Sequence, residues 1–420
     1  MRRTAPSGGP RRAPGPRRGR CEPGLRRLIN WLVKSSPNSV TSWEKNHEQG
    51  RPAPDIREEI HGRFGDQTRA DLRAGAAVSA ATGATGAAPA ETSPEVALAE
   101  ALSRLAPRFA EGGTGVADLV RLSGGASQET WAFRLTGPQP RDLILRRRPD
   151  QARPGKEDLP LATEAAMIRL AAARGVPEPR ILHVLSPEEG AGEGFVMTRV
   201  EGETIGPKIL KAPALETARE KFAAQCGGIL AAIHAIEPGD IALETRTAQS
   251  VLQKMIDDHR EFGQDRPVFE LALRWLGQNL PETPPLRLCH GDFRLGNLMM
   301  DETGVNAVLD WEGCHIGDPH ADLAWLCVGS WRFGGEQPVG GMGPREELWE
   351  AYEAAGGGWV DRHAARWWEV AGNLRWGVII EWMGGWIRAG ADPSVERHVI
   401  ARRASEIELL LLADLTGREI

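Results

Sequence analysis

His290-Gly-Asp292-Phe-Arg-Leu-Gly-Asn297 is followed, thirteen residues beyond the asparagine, by Asp310-Trp311-Glu312. One short segment thus holds a carboxylate able to take a proton, an amide oxygen and a second carboxylate. Asp292 suits the partner of an attacking hydroxyl. Asn297 offers a neutral oxygen and Asp310 an anionic one, and Mg²⁺ is a hard cation that prefers oxygen. Transfer of a terminal phosphoryl group asks for little covalent chemistry from a protein; positioning and charge compensation supply most of the rate. These residue types therefore permit Mg²⁺-ATP to be held with its last phosphate facing a hydroxyl. A loop whose Asp and Asn merely cap turns is the plainer alternative. The full string with a later strand-terminal Asp is far more specific than a lone D-x₄-N.

The neighbouring residues say how these groups are positioned. Leu298–Met300 and Ala307–Leu309 read as strands joined through Asp301-Glu-Thr-Gly304, with a glycine where positive φ is useful. Asn297 and Asp310 then occupy the same open end of a hairpin, on strands about 4.8 Å apart. The Asp292-to-Asn297 spacing is that of the protein-kinase catalytic loop.

Ser93-Pro94 suits a helix start, and Leu98, Leu102, Leu105 and Phe109 follow at helical spacing. Strands are expected at about 117–122, 129–135 and 142–147. A helix at about 159–174 is stopped by Gly175 and Pro177, and strands at about 181–185 and 194–200 follow. The order β-β-β-α-β-β describes a small antiparallel sheet carrying one helix. From about 202 the pattern is mostly helical, with single helical stretches expected over 213–236 and 247–279. In the first, Phe222, Cys226, Ile229, Leu230 and Ile233 share a face. The fold class is α+β with two lobes, 93–201 and 202–420. Residues 1–92 form an Arg/Pro/Gly/Ala-rich tail too poor in apolar residues to offset its ordering entropy.

Composition excludes several classes. The net charge is −6, but residues 1–30 carry nine Arg and one Glu, or +8, so the other 390 residues carry −6 − 8 = −14. An acidic body argues against a general nucleic-acid surface. The five cysteines (21, 226, 289, 314, 327) are sparse and unpaired in spacing, which fits a reducing compartment and a cytoplasmic location. No apolar run reaches membrane-span length, and the first twenty residues lack the apolar core of a secretory signal. Their Arg-rich, acid-poor character is shared with mitochondrial transit peptides, but the bias persists well beyond them. No membrane, nucleic-acid or protein partner is expected.

The strings HGDFRLGNLM and VLDWEGCHIGDPHADLAWL resemble the aminoglycoside phosphotransferase superfamily, the small-molecule branch of the protein-kinase-like fold. More narrowly they are similar to the kinase-like domain fused to certain acyl-CoA dehydrogenases and its stand-alone bacterial relatives. Residues 272–281 (ALRWLGQNLP) fit the same branch, and the resemblance covers about residues 95–415. It implies a bilobal kinase-like fold with Asp292 as catalytic base and Asn297 and Asp310 as Mg²⁺ ligands. ATP would be the co-substrate, with GTP not excluded. Asp318 and Asp322 would brace the loop from behind. Leu122-Ser123-Gly124-Gly125-Ala-Ser127 resembles the phosphate-covering loop, where glycines allow close backbone approach and Ser127 adds donors. The third strand ends in Arg146-Arg147-Arg148. Alternation and the family pattern select Arg146 for the phosphates, with Glu164 as its ion-pair partner, leaving Arg147 and Arg148 as solvated strand-end charge. Phe195–Val200 resembles the strand entering the hinge, where Met197 and Val200 would read the purine.

Cys289-His290 and Cys314-His315 invite a zinc reading, but a strand over 286–290 turns Cys289 and His290 to opposite sides. Walker A, HExxH and G-x-S-x-G sequences are absent. Eleven of fourteen tryptophans lie between 275 and 386, with Trp367, Trp368, Trp376, Trp382 and Trp386 on late helices and a lone Tyr352. Most fit helix packing, and a few suit the wall of a pocket. A polycationic acceptor would need many carboxylates here. The comparative lack of them favours a hydroxylated acyl or other weakly polar acceptor. The expectation is an ATP- and Mg²⁺-dependent phosphotransferase acting on a small-molecule hydroxyl; by resemblance, that of a hydroxyacyl-CoA or hydroxy acid leads. An aminoglycoside- or macrolide-type antibiotic acceptor, or a non-catalytic nucleotide-binding role, is the alternative.

Overall fold

Ser93 opens the first helix through its side chain, which accepts from the Val96 amide at 3.3 Å, while Pro94 takes the first helical position. The computed structural model describes residues 93–124, 128–148, 159–262, 264–388, 390 and 395–418. The expected tail, 1–92, lies outside the described residues.

Helix α1 (Pro94–Phe109) buries Leu98, Leu102, Leu105 and Phe109. Strands β1 (Gly115–Gly124), β2 (Glu129–Thr136) and β3 (Arg141–Arg148) follow, then helix α2 (Leu161–Ala173) and strands β4 (Ile181–Leu185) and β5 (Glu193–Thr198). The expected β-β-β-α-β-β order is present. The strands form one sheet in the order β1-β2-β3-β5-β4, all neighbours antiparallel. Successive side chains of a strand point to opposite faces. Leu143 and Leu145 therefore pack with α1, Trp131 and Phe133 in one core. Arg146 shares the other face with α2, whose Met167 and Ile168 join Phe195 in a second core.

The larger part begins with α3 (Gly206–Lys211), α4 (Glu216–Glu220) and α5 (Phe222–His234), then β6 (Thr245–Arg246), α6 (Ala248–Phe262) and α7 (Pro267–Gln278). Two helical expectations need correcting. The stretch 213–236 is a 3₁₀ turn followed by two helices, broken at Lys221, where ψ is −7°. Both helices touch the later hairpin, but α5 packs chiefly on the helix Arg345–Ala354, so tertiary packing overrides a continuous periodicity. The stretch 247–279 divides before Pro267, which has no N–H and holds Arg266 in an extended conformation with ψ 94°.

Next come β7 (Arg287–Cys289), the hairpin β8 (Leu298–Asp301) and β9 (Gly304–Val308), and β10 (His315–Gly317). Helices α8 (His320–Trp325), α9 (Arg345–Ala354), α10 (Arg362–Arg388), α11 (Val395–Ala401) and α12 (Ala404–Thr416) complete the chain. The hairpin pairs Leu298 with Val308, and its turn glycine, Gly304, has φ +132°. Leu298 and Val308 join Phe195, Phe222 and Trp311 in the core that also receives α2. No helix among the described residues is long and apolar enough to cross a membrane.

Candidate active site

The loop 290–297 is held from behind by one buried carboxylate. Asp322, on α8, accepts the His290 amide at 2.6 Å, the Gly291 amide at 2.9 Å and His234 Nε2 at 3.2 Å. Burial would raise its pKa, yet its hydrogen bonds, that from His234 foremost, hold it at about 2. Asp318 does not share this task. Its side chain accepts from the His320 amide, His320 Nδ1 and Trp368 Nε1, so it ties the start of α8 to α10.

His290 is fully buried, and burial holds its pKa below the ordinary value against nearby carboxylates. Its bonds demand a neutral ring. Nδ1 accepts the Asp292 amide at 3.2 Å, and Nε2 lies 3.1 Å from the Leu309 carbonyl, to which it must donate. The imidazole thereby links the loop to the residue preceding Asp310.

Asp292 is fixed by three donors. Trp325 Nε1 at 2.7 Å and Arg294 Nε at 3.0 Å reach Oδ1, and Asn297 Nδ2 at 2.6 Å reaches Oδ2. An ionised carboxylate has about four acceptor positions, so room for one further hydrogen bond remains on Oδ2. Asn297 Nδ2 also donates to the Asp292 carbonyl at 3.0 Å. With the amide nitrogen committed to Asp292, the amide oxygen is the atom left for a cation.

Asn297 and Asp310 do sit at the same end of the hairpin: the Leu309 amide donates to the Asn297 carbonyl at 2.8 Å, one pair beyond Leu298–Val308. Asp310 has φ 69° and ψ 63°, a left-handed conformation costly for a non-glycine residue and characteristic of functional sites. Its Oδ1 accepts Arg146 Nη2 at 2.7 Å, and the same nitrogen lies 3.1 Å from Glu312 Oε2. Arg146 Nε lies 3.1 Å from Glu164 Oε1, so the expected ion pair is present. The alignment is poor, however, and neither that Nε nor Glu164 Oε2 completes a hydrogen bond. Burial drives Glu164 up to about 7 although Arg146 opposes it.

The other strand-end arginines are not solvated. Arg147 pairs with Glu129 at 2.9 Å and donates to the Ala191 carbonyl, while Arg148 is buried and pairs with Glu193 at 3.0 Å. Carboxylates on adjacent strands, invisible as partners in a linear reading, account for this. Met197 lies in β5, paired with Ile144 and Ile181. Val200 lies just past the strand end. Ser123 and Gly124 finish β1, opposite Thr130 and Glu129. Gly125 and Ser127 lie outside the described residues.

Sequence reasoning missed Arg294, Trp325 and Glu312 as members of this cluster. Arg294 and Glu312 lie inside the quoted strings, but nothing local says where their side chains point. Trp325 also lies inside the second string, 33 positions downstream of Asp292, and its role is equally unmarked there. Nor do the two Cys-His pairs gather. Cys289 instead lies near His234 and Asp322, whose polar atoms already serve the loop.

A two-lobed fold whose Asp, Asn and Asp converge behind an arginine defines a phosphotransferase of the kinase-like class. The model of the phosphotransferase enzyme family, APH, matches residues 118–368, and the chain belongs to that family. Acyl-CoA dehydrogenase family member 10 of Mus musculus is 29% identical over 231 residues, covering 51% of this chain and 20% of that protein. Family member 11 of Gallus gallus is 27% identical over 236 residues, 53% of this chain and 29% of that protein. The chain thus spans well under half the length of either relative. Among solved structures, a putative aminoglycoside phosphotransferase from Ralstonia eutropha superposes with a TM-score of 0.61 at 20% identity, covering 76% of this chain and 98% of that one. A choline/ethanolamine kinase family protein from Mesorhizobium loti gives 0.51 at 21%, covering 75% and 95%. At such identities these two establish the shared fold.

Proposed function

We propose that the protein transfers the terminal phosphoryl group of ATP to a hydroxyl of a small molecule, with Asp292 orienting that hydroxyl and taking its proton. A bond forms between the acceptor oxygen and the terminal phosphorus, and the bond from that phosphorus to the bridging oxygen breaks, leaving ADP. The observation that carries this reading is the state of Asp292: three donors fix it, with acceptor capacity left on Oδ2. Asn297 and Asp310 would hold Mg²⁺, since the donor set is oxygen only and Asn297 presents its carbonyl oxygen away from Asp292. The ion would offset charge on the phosphates. Arg146 would turn from Asp310 and Glu312 towards the phosphates, kept in reach by Glu164.

We assign residues 93–201 to the nucleotide lobe, with the loop 123–127 over the phosphates and Met197 and Val200 at the purine. Residues 202–420 would form the acceptor lobe. For the acceptor, the relatives named as acyl-CoA dehydrogenase family members favour a hydroxyacyl-CoA or hydroxy acid. An antibiotic is the second reading, supported by the aminoglycoside phosphotransferase name of one structural neighbour. Purified protein with Mg²⁺-ATP and a panel of hydroxyacyl-CoAs, hydroxy acids, aminoglycosides and macrolides tests this by ADP release and ³¹P NMR. A new phosphate ester with one acceptor class is expected. Lack of both ester formation and Mg²⁺-dependent ATP binding would sink the proposal.

A further inference from the structure

Arg294 spends only part of its donor set. Nε donates to Asp292 Oδ1 at 3.0 Å and Nη1 to the Leu295 carbonyl at 3.4 Å, while the guanidinium lies 4.6 Å over the Trp331 ring. Its Nη2 has no partner among the described residues, and its side chain keeps 24% of its exposure. A guanidinium held over an indole and bonded through Nε loses little freedom on binding. It stands beside the carboxylate at which the acceptor hydroxyl must arrive.

The wall behind it is aromatic and donor-rich. Trp331 packs against Trp325 with ring centroids 5.3 Å apart and against Trp376 at 4.9 Å. Trp325 donates to Asp292, whereas the indole N–H groups of Trp331 and Trp376 are buried without a hydrogen-bond partner. A buried donor left unpaired costs about 1–3 kcal/mol. Among the described residues, the sole carboxylate bonded to Arg294, Trp325, Trp331 or Trp376 is Asp292. A polycation would meet a guanidinium here in place of carboxylates. An oxyanion would meet the unused N–H groups of Arg294 Nη2, each able to give a charge-assisted hydrogen bond.

We infer that Arg294, stacked on Trp331, selects the acceptor, and that the acceptor carries an anionic group within reach of its reacting hydroxyl. This rests on the phosphotransferase reading and narrows it. The anion is the carboxylate of a free hydroxy acid; in a CoA thioester that charge is lost and the phosphates lie a pantetheine arm away from the acyl hydroxyl. The test uses lactate, β-hydroxybutyrate and γ-hydroxybutyrate as free acids, methyl esters and CoA thioesters, with an aminoglycoside as the cationic counter-case. Binding is read by tryptophan fluorescence, turnover by ADP release, and both are measured on wild type, Arg294→Gln and Arg294→Lys.

The wild-type protein should prefer an anionic form over the methyl ester by about tenfold, the worth of one charge-assisted hydrogen bond. A preference for the free acid over both methyl ester and thioester is the expected result; a preference for the thioester over the free acid would overturn the inference. Arg294→Gln should abolish the preference and raise the acceptor KM by about tenfold while the ATP KM moves less than about twofold; Arg294→Lys should restore part of it. Equal use of ester and anion, a preference for the aminoglycoside, a preference that survives Arg294→Gln, or an effect confined to the ATP KM would each overturn the inference. Anion binding lost in Arg294→Gln, with no transfer to any acceptor, would support the subsite and count against the phosphotransferase reading alone.

Discussion

Asp322 and Glu164 are each 1% exposed, yet the molecule treats them in opposite ways. Asp322 receives three N–H donors on its two oxygens, and its pKa sits at about 2 against burial, chiefly through the His234 hydrogen bond. Glu164 has one poorly aligned arginine and an oxygen with no partner, and burial lifts it to about 7. The difference separates the two halves of the site. The loop that carries Asp292 is finished by the fold. The Arg146 centre, one guanidinium shared among Glu164, Asp310 and Glu312, is satisfied in a provisional way that suits a ligand rich in negative charge.

The sharpest way to break the comparison is at the finished half. Asp292→Asn keeps the shape but removes the proton acceptor, and should lower kcat by about 10³-fold while Mg²⁺-ATP binding persists. ADP release and titration calorimetry would show this, and full turnover would remove Asp292 from the base role. Asp322→Asn replaces one acceptor oxygen with an amide that must face buried donors. A loss of about 3–5 kcal/mol is expected, seen as a lower melting temperature at pH 7. The folded pKa of about 2 lies below the ordinary 3.8, so the native state binds its proton less tightly than the unfolded chain. The stabilisation is present above about 3.8 and lost as pH falls through 2. The gap between wild type and variant should therefore narrow by about 2 kcal/mol in strong acid. A gap independent of pH would mean that Asp322 acts by packing.

At the provisional half, Asp310→Ala should weaken Mg²⁺-dependent nucleotide binding by at least about 100-fold, the upper range found for mere outer-shell partners of a metal. The Kd for ATP measured across Mg²⁺ concentrations checks this. An unchanged dependence would leave Asp310 as a partner of Arg146 alone.

The two halves were not equally legible in the sequence. The hairpin end, with Asn297 opposite the residue before Asp310, follows from period-two strands and a glycine turn within fourteen residues, from Asn297 to Asp310. Arg146 and Glu164 could be paired because the family resemblance supplied the pairing and strand alternation limits which arginine faces the helix. What stayed hidden has no marking pattern in the chain: Trp325 to Asp292, His234 to Asp322, and Arg147 and Arg148 to Glu129 and Glu193. Those partners depend on how strands and helices are stacked, which no local pattern encodes. The broken helices at Lys221 and Pro267 divide along the same line. The proline is a local rule overlooked, and the other break is set by packing.

The smallest effect distinguishes the two carboxylates most cleanly. Glu164 has a folded pKa of about 7 against an ordinary 4.5. The native state thus holds this proton more tightly than the unfolded chain, so its contribution is full below about 4.5 and fades as pH rises through 7. Glu164→Gln cannot ionise and should lack this slope. Between pH 5 and 8 the variant should gain about 2 kcal/mol relative to wild type, whatever constant cost accompanies loss of the Arg146 pair. Urea unfolding at several pH values reads the slope directly. The sign is opposite to that of Asp322→Asn, whose difference from wild type is full at neutral pH and shrinks only in strong acid. A saturating nucleotide that draws Arg146 towards its phosphates would change the Glu164 slope and leave the Asp322 slope alone. Equal response of both slopes to nucleotide would show that the halves are coupled, and the division between a finished and a provisional half would fail.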